Sequence, residues 1–502
     1  MRTRRSSVLV VVAAAACLLL AACTGASRPQ DVDVAAGNTD GTALDTPTDV
    51  ATGDVPVHEA GPATPAAGST GGKARTKAGT GAGGTGGTAA GAGTGTGANT
   101  GTPVPPDSGP VPARTALFNA DEDRVGISGD KIVLCAHAAL TYGAAFNTGV
   151  DDLKVYFDAI NAEQGGIHGR KVEITYENDN YQPDTAVQAA NTCKARNPFV
   201  LLGGIGFDQI PAVRNWAETN RMLYLHHTAT VNGSEGKQFS FSALPSTERM
   251  GEVFGELAAA RFKGKKLGII KRDSPNWDPG VVAFKRIAAA HGIDIVAERA
   301  VAASKGNYLE DILEMKNKGA EVVWGWENAL AATEIVKQAK AQQYNPTWLL
   351  FPFNLTSQTL GDDALNPKLV GVAMFTAYSN GDYSGSFAPY AEDIREFERQ
   401  YAKYRPSADL KGLGGDLLFL NWTAMKALHL QLLECGPDCT RNRFIDVMKG
   451  YNKRPMPAAC QIDFTRGNGH LGGWAVNVME TYRAPDGRVN WRNTDSCVEH
   501  LL

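Results

Sequence analysis

From about Arg124 onward, short apolar runs alternate with stretches of helical periodicity, and this order constrains the fold more than any other feature of the chain. A strand, a helix and a second parallel strand close on one another with one hand, so repetition of that unit implies mostly parallel sheets covered by helices. Two such series follow in succession. The first opens with KIVLCA at 131–136, then a helix over 148–162 with Leu153, Phe157 and Ile160 on one face, ended by Gly165 and Gly166. A strand at 171–179 leads to a helix over 183–196, for which Asp184 is the expected N-cap. Strands at 199–204 and 222–227 flank an amphipathic helix at 211–219. The second series starts with LGIIK at 267–271, where Asp278 is the expected N-cap and Pro279 the first helical residue. Asn307 and Glu310 resemble a capping box, strands are expected at 321–325 and 347–351, and helices at 391–404 and 416–433. Strand-like pieces at 461–464 and 474–481 finish the pattern.

What precedes this region has a different composition. Arg2, Arg4 and Arg5 stand before an apolar run ending in small residues, the layout of a secretory signal rather than a membrane span. The run closes on Leu20-Ala21-Ala22-Cys23, which resembles a bacterial lipobox, so 1–22 are read as a lipoprotein signal and Cys23 as the lipidated first residue of the mature chain. The alternative is an ordinary signal with a chance cysteine. Residues 23–122 are read as a tether of Gly, Thr, Ala and Pro, too poor in large apolar residues to offset the entropy of ordering. The protein is therefore expected outside the cytoplasm, held by lipid to the outer face of the cell membrane.

Net charge is −4 over 502 residues, and no basic stripe interleaved with aromatics occurs, so nucleic acid is not an expected partner. Six cysteines remain beyond Cys17 and Cys23. An exported chain favours disulfides: Cys435 with Cys439 in a small loop, Cys460 with Cys497 near the C-terminus, and Cys135 and Cys193 either paired or buried as thiols. Neither the close pair CGPDC nor the neighbours His226 and His227 has companions at metal-ligand spacing. There is no GxSxG, HExxH, GxxxxGK[ST] or dinucleotide GxGxxG pattern, so no cofactor is expected and a binder is favoured over an enzyme.

The stretch FDAINAEQGGIHGRKVEITYENDNYQPDTAVQAANTC, residues 157–193, resembles the first lobe of the type I periplasmic binding proteins, in the leucine/isoleucine/valine-binding branch. The resemblance rests on the helix end with Gly165, Gly166 and Gly169, on Arg170 to Glu173, on Asp179, and on Pro183-Asp184 before an Ala-rich helix. It implies an α/β fold of two doubly wound parallel-sheet lobes joined by three crossovers, with a ligand in the cleft between them. By that resemblance lobe 1 takes 123–243 and 377–459, lobe 2 takes 244–376 and 460–502, and the third crossing falls at 460–464. The function implied is delivery of a small molecule to the membrane permease and ATPase of an ABC importer. A sensory lipoprotein signalling to a membrane partner, and an enzyme on a borrowed fold, are the other readings.

Carried over to strand ends, the resemblance places Tyr142, Phe207, Asp208, Thr228 and Thr230 on the first lobe's side of the cleft, and Trp277, Trp326, Glu327 and Phe353 on the other. Thr228 and Thr230 keep donors for an anion, whereas Phe207 and Asp208 replace a serine run. Phe353 stands where relatives place a glutamate for the ligand ammonium. Glu327 is either a substitute for that charge or a solvated loop carboxylate, and which of Trp324 and Trp326 faces the cleft is open. The ligand is accordingly expected to be apolar or aromatic, with a carboxylate, rather than a branched-chain amino acid.

Overall fold

A computed structural model describes residues 116–141, 149–204, 206–227, 229–302, 305–352, 368–379, 381–410, 415–483, 487 and 489–502. The chain divides into two units, Met1–Thr94 and Gly95–Leu502, and every described residue lies in the second. The signal, Cys23 and most of the tether thus lie outside the described residues, as do Tyr142, Thr228 and Phe353.

In the first lobe, α1 (Ala120–Asp123) precedes β1 (Lys131–Ala138), α2 (Val150–Glu163), β2 (Lys171–Asn178), α3 (Pro183–Ala195), β3 (Val200–Gly203), α4 (Gln209–Asn220), β4 (Tyr224–His226), α5 (Val231–Ser234) and β5 (Ser240–Pro245). β1 pairs in parallel with β2 from Lys131↔Lys171 to Ala138↔Asn178 and with β3 on its other side. Gly166 takes φ 93 at the end of α2, where a Cβ would run into the Arg170 carbonyl.

The second lobe holds α6 (Thr247–Arg261), β6 (Lys266–Arg272), α7 (Asp278–Ala290), β7 (Asp294–Val301), α8 (Leu309–Asn317), β8 (Val322–Trp326), α9 (Ala329–Ala341), β9 (Thr347–Leu350) and β10 (Lys368–Ala373). The chain then returns to the first lobe with α10 (Ala391–Tyr404), α11 (Gly415–Cys435), α12 (Arg441–Lys449), β11 (Arg454–Met456), β12 (Ala459–Ile462) and β13 (Leu471–Gly473). β14 (Val476–Arg483) and β15 (Val489–Val498) complete the second sheet. The two sheets run β11-β12-β13-β5-β4-β3-β1-β2 and β15-β14-β10-β9-β8-β6-β7. Both central sheets are parallel, with antiparallel pairs at one edge.

This order corrects the third crossing. β12 and β13 belong to the first sheet, so the chain changes lobe between Gly473 and Val476 rather than at 460–464. β13 lies in parallel beside β5, with Leu471 opposite Ser242, and a Cβ on Gly473 would collide with the Pro245 backbone. A three-residue strand carries too little periodicity to announce its sheet; the close backbone approach decides it.

Helix starts also differ in detail. Gln182 is the N-cap of α3, Pro183 follows it, and Asp184 sits in the first turn, where its charge suits the helix dipole. Trp277 precedes α7, so Asp278 is again a first-turn residue, and its carboxylate meets Lys271 Nζ at 2.6 Å. Asn307 Oδ1 accepts the Leu309 N–H, but Tyr308 is the N-cap and Glu310 pairs with Arg299 instead of closing a box.

Phe157, Phe397, Phe419 and Trp422 belong to the first lobe's core, with Phe397 of α10 in ring contact with Phe419 and Trp422 of α11. Ala186, Ala190, Ile210 and Val213 pack α3 and α4 on the first sheet. All three disulfides form: Cys135–Cys193 ties β1 to α3, Cys435–Cys439 closes the end of α11, and Cys460–Cys497 links β12 of the first sheet to β15 of the second. Among the described residues, no helix is long and apolar enough to cross a membrane.

Candidate functional site

The C-terminal ends of β1, β3 and β4 face those of β8 and β9 across a cavity of about 280 Å³, the place where open parallel sheets hold ligands. Its floor on the first-lobe side is polar but internally satisfied. His137, at the end of β1, bonds Asp179 Oδ2 through Nδ1 at 2.8 Å and the Tyr224 hydroxyl through Nε2 at 2.7 Å. Asp179 also accepts the Tyr181 N–H at 2.8 Å. This chain of bonds ties the ends of β1, β2 and β4 together, and burial holds the Tyr224 hydroxyl well above its ordinary pKa, so it remains a neutral phenol. His227 is neutral as well, because desolvation lowers its imidazole to about 4.

Across the cavity, Glu327 follows β8 and is wholly buried, which excludes a solvated loop carboxylate. Its Oε2 accepts the Arg272 Nε–H at 2.8 Å from the end of β6. Desolvation pushes the carboxyl up to about 7, against the pull of Arg272. Glu327 thus meets the cavity already paired. Asn328, next to it, caps α9 through Oδ1 at 3.0 Å from the Ala331 nitrogen, while its buried Nδ2 meets no acceptor among the described residues. No lysine or arginine lines the cavity among the described residues.

Phe207 from the loop after β3 reaches the other lobe. Its ring lies 4.0 Å from that of Trp277, 5.6 Å from Trp326 and 6.4 Å from Phe351, centroid to centroid. Beside it, Asp208 Oδ1 accepts from the Ser274 hydroxyl at 2.6 Å and from Asn276 Nδ2 at 3.1 Å. Phe207 and Asp208 therefore bridge the lobes.

Of the residues expected at the cleft, Phe207, Trp277 and Glu327 line the cavity. Trp326 lies behind Trp277, donating its indole N–H to the Trp277 carbonyl at 2.9 Å. Trp324 and Trp326 point to one face, as residues two apart on a strand must, with ring centroids 4.9 Å apart, and both are core. Thr230 is the N-cap of α5, its hydroxyl oxygen accepting the Gly233 N–H at 2.9 Å, and the cavity wall does not include it or Asp208. Among the described residues, no group of three His, Cys, Asp or Glu side chains is placed to hold a metal.

Sequence reasoning missed Arg272, Asn328 and the contribution of α11. Arg272 carried no signal, since its partner Glu327 comes from another strand, whereas Asn328 carried a local one, an asparagine capping the start of α9 three residues before Ala331. α11 did carry one: it is apolar nearly all round, which a helix covering only one surface does not need to be.

Residues 138–484 match the family model described as periplasmic binding protein. No curated protein sequence matches the chain. Among solved structures, it is similar to a fatty acid ABC transporter substrate-binding protein from Thermomonospora curvata, with a TM-score of 0.62, 15% identity, and coverage of 75% of this chain and 94% of that one. A solute-binding protein of an ABC transporter from Rhodopseudomonas palustris, bound to 3,4-dihydroxybenzoic acid, gives 0.59 and 16%, covering 73% and 98%. A branched-chain amino acid ABC transporter protein from Thermus thermophilus with bound valine gives 0.59 and 16%, covering 74% and 98%. At such identities the likeness is one of fold.

Proposed function

The chain belongs to the periplasmic binding protein family, and from that premise we propose that it is the extracytoplasmic solute-binding lipoprotein of an ABC importer, taking an apolar or aromatic carboxylate between its lobes. The observation that carries the ligand class is the state of the two carboxylates that line the cavity among the described residues. Asp179 is engaged by His137, and Glu327 by Arg272. An α-amino acid would bring an ammonium to walls whose acids are already paired, and leaving it unpaired in a closed cleft costs several kcal/mol.

The rest of the wall suits an apolar body. Phe207, Trp277 and Phe351 offer rings from both lobes, and Phe241, Leu244 and Met374 continue the apolar surface into the first lobe. For the carboxylate, the neutral donors at hand are Asn328 Nδ2 and the imidazole of His227. Two of the similar proteins are named for a fatty acid and a dihydroxybenzoic acid, which agrees with an acid as ligand. The lipid anchor at Cys23 rests on the sequence before it.

Calorimetry against leucine, isoleucine, valine and a panel of aromatic and aliphatic carboxylates tests this reading, with Trp277→Ala as control. A carboxylate is expected to bind at micromolar affinity or tighter and to lose affinity in the variant. Leucine bound as tightly, and unaffected by Trp277→Ala, would overturn both ligand class and site.

A further inference from the structure

The cavity continues beyond the cleft. On α11, Leu417, Leu420, Ala424, Leu428 and Gln431 line it at steps of three and four residues, which is one face of the helix. From Leu417 to Gln431 that face rises about 21 Å. The facing wall is built from Leu153 of α2, Tyr176 of β2, Met448 of α12, Met456 of β11 and Phe464, all of them in the first lobe. The passage therefore runs between the first sheet and its helical layer, where an α/β lobe is ordinarily packed solid.

Three properties of this passage indicate its occupant. The cavity as a whole, about 280 Å³, runs from the strand ends along about 21 Å of α11, so it suits a chain better than a ring system. Among the described residues, its only charged or imidazole side chains gather at the strand ends of the cleft: His137, Asp179, His226, His227 and Glu327. Met425, Met448 and Met456 line it, and the unbranched thioether adapts to a mobile aliphatic partner. α11 is apolar on both sides because one side packs Phe419 and Trp422 into the core while the other walls the passage.

Resting on the solute-binding reading above, we propose that the ligand is a long-chain aliphatic carboxylate, its head at the strand ends and its chain threaded along α11 into the first lobe. An aromatic acid the size of a substituted benzoate would fill only the cleft end. Specificity for chain length then resides in α11 and not in the lobe interface.

The test is calorimetry on the full chain, stripped of bound lipid, with butanoate, octanoate, dodecanoate and hexadecanoate, and with benzoate as a ligand confined to the cleft. Affinity is expected to tighten about fourfold per added methylene until the passage is filled. Ala424→Phe, which projects a ring into the passage, is expected to abolish that gain and leave benzoate unchanged. Because the added ring also perturbs the packing of the lobe, dodecanoate carrying a terminal diazirine provides a second readout on the parent protein: cross-links are expected at Leu428, Gln431 or Met448. A flat series with benzoate still bound, or cross-links confined to Phe207 and Trp277, overturns the passage but spares the solute-binding reading. Failure of every carboxylate to bind overturns both.

Discussion

Phe207→Ala is the most informative single substitution, because it removes a side chain of one lobe from a pocket of the other. Full burial of a phenylalanine contributes about 1.5–3 kcal/mol, and Phe207 is half-buried, so about 1 kcal/mol of area burial is at stake. Its tight ring contact with Trp277, 4.0 Å between centroids, adds about 0.5–1.5 kcal/mol. The closed arrangement should therefore lose about 2 kcal/mol, a shift of roughly thirtyfold towards open forms. Small-angle scattering of the ligand-free protein is expected to show a larger radius of gyration, and ligand affinity to fall by up to that factor. The melting temperature should move little, since neither lobe's own core is cut. Unchanged scattering together with unchanged affinity would refute the assignment of Phe207 as a closing contact; a large drop in melting temperature would show that it belongs to a fold-stabilising core.

Replacing Cys135 and Cys193 together by alanine opens a loop of 58 residues and is expected to cost about 4 kcal/mol, read by chemical denaturation of the double variant. Glu327 titrates near 7 when folded and near 4.5 when unfolded, so the folded chain holds the extra proton between those values. Its contribution to stability is complete below pH 4.5 and is lost as pH rises through 7, with a slope of up to about 1.4 kcal/mol per pH unit. Glu327→Gln should flatten that part of the stability–pH curve relative to the parent, and an unchanged curve would contradict the desolvation of the buried carboxyl. Cys23→Ser should release the protein into the medium; retention on the membrane after a high-salt wash would contradict the anchor.

Most of the fold was legible because β1, β2, β6, β8 and their following helices each carry their own periodicity and punctuation. Helix starts slipped by one or two residues where Pro183 and Pro279 gave the position of the first turn but not the identity of the cap. The third crossing was illegible, since the sheet to which Leu471–Gly473 belongs is decided by close approach to Pro245, some two hundred residues earlier. At the site, Trp277 and Phe207 were legible as aromatics at strand ends, but their ring contact across the lobes was not. Glu327 was visible as a carboxylate, whereas its partner Arg272 lies at the end of another strand and turns a free charge into a paired one. The passage along α11 was hidden because an apolar helix face reads the same whether it meets a core or a ligand.

The central claim, an apolar carboxylate held between the lobes, is tested most directly by mass spectrometry of small molecules extracted from protein purified without detergent. A carboxylic acid with a long aliphatic chain, present near one per protein and depleted in the Trp277→Ala variant, is the predicted result. An α-amino acid at that stoichiometry, retained by the variant, would contradict the account.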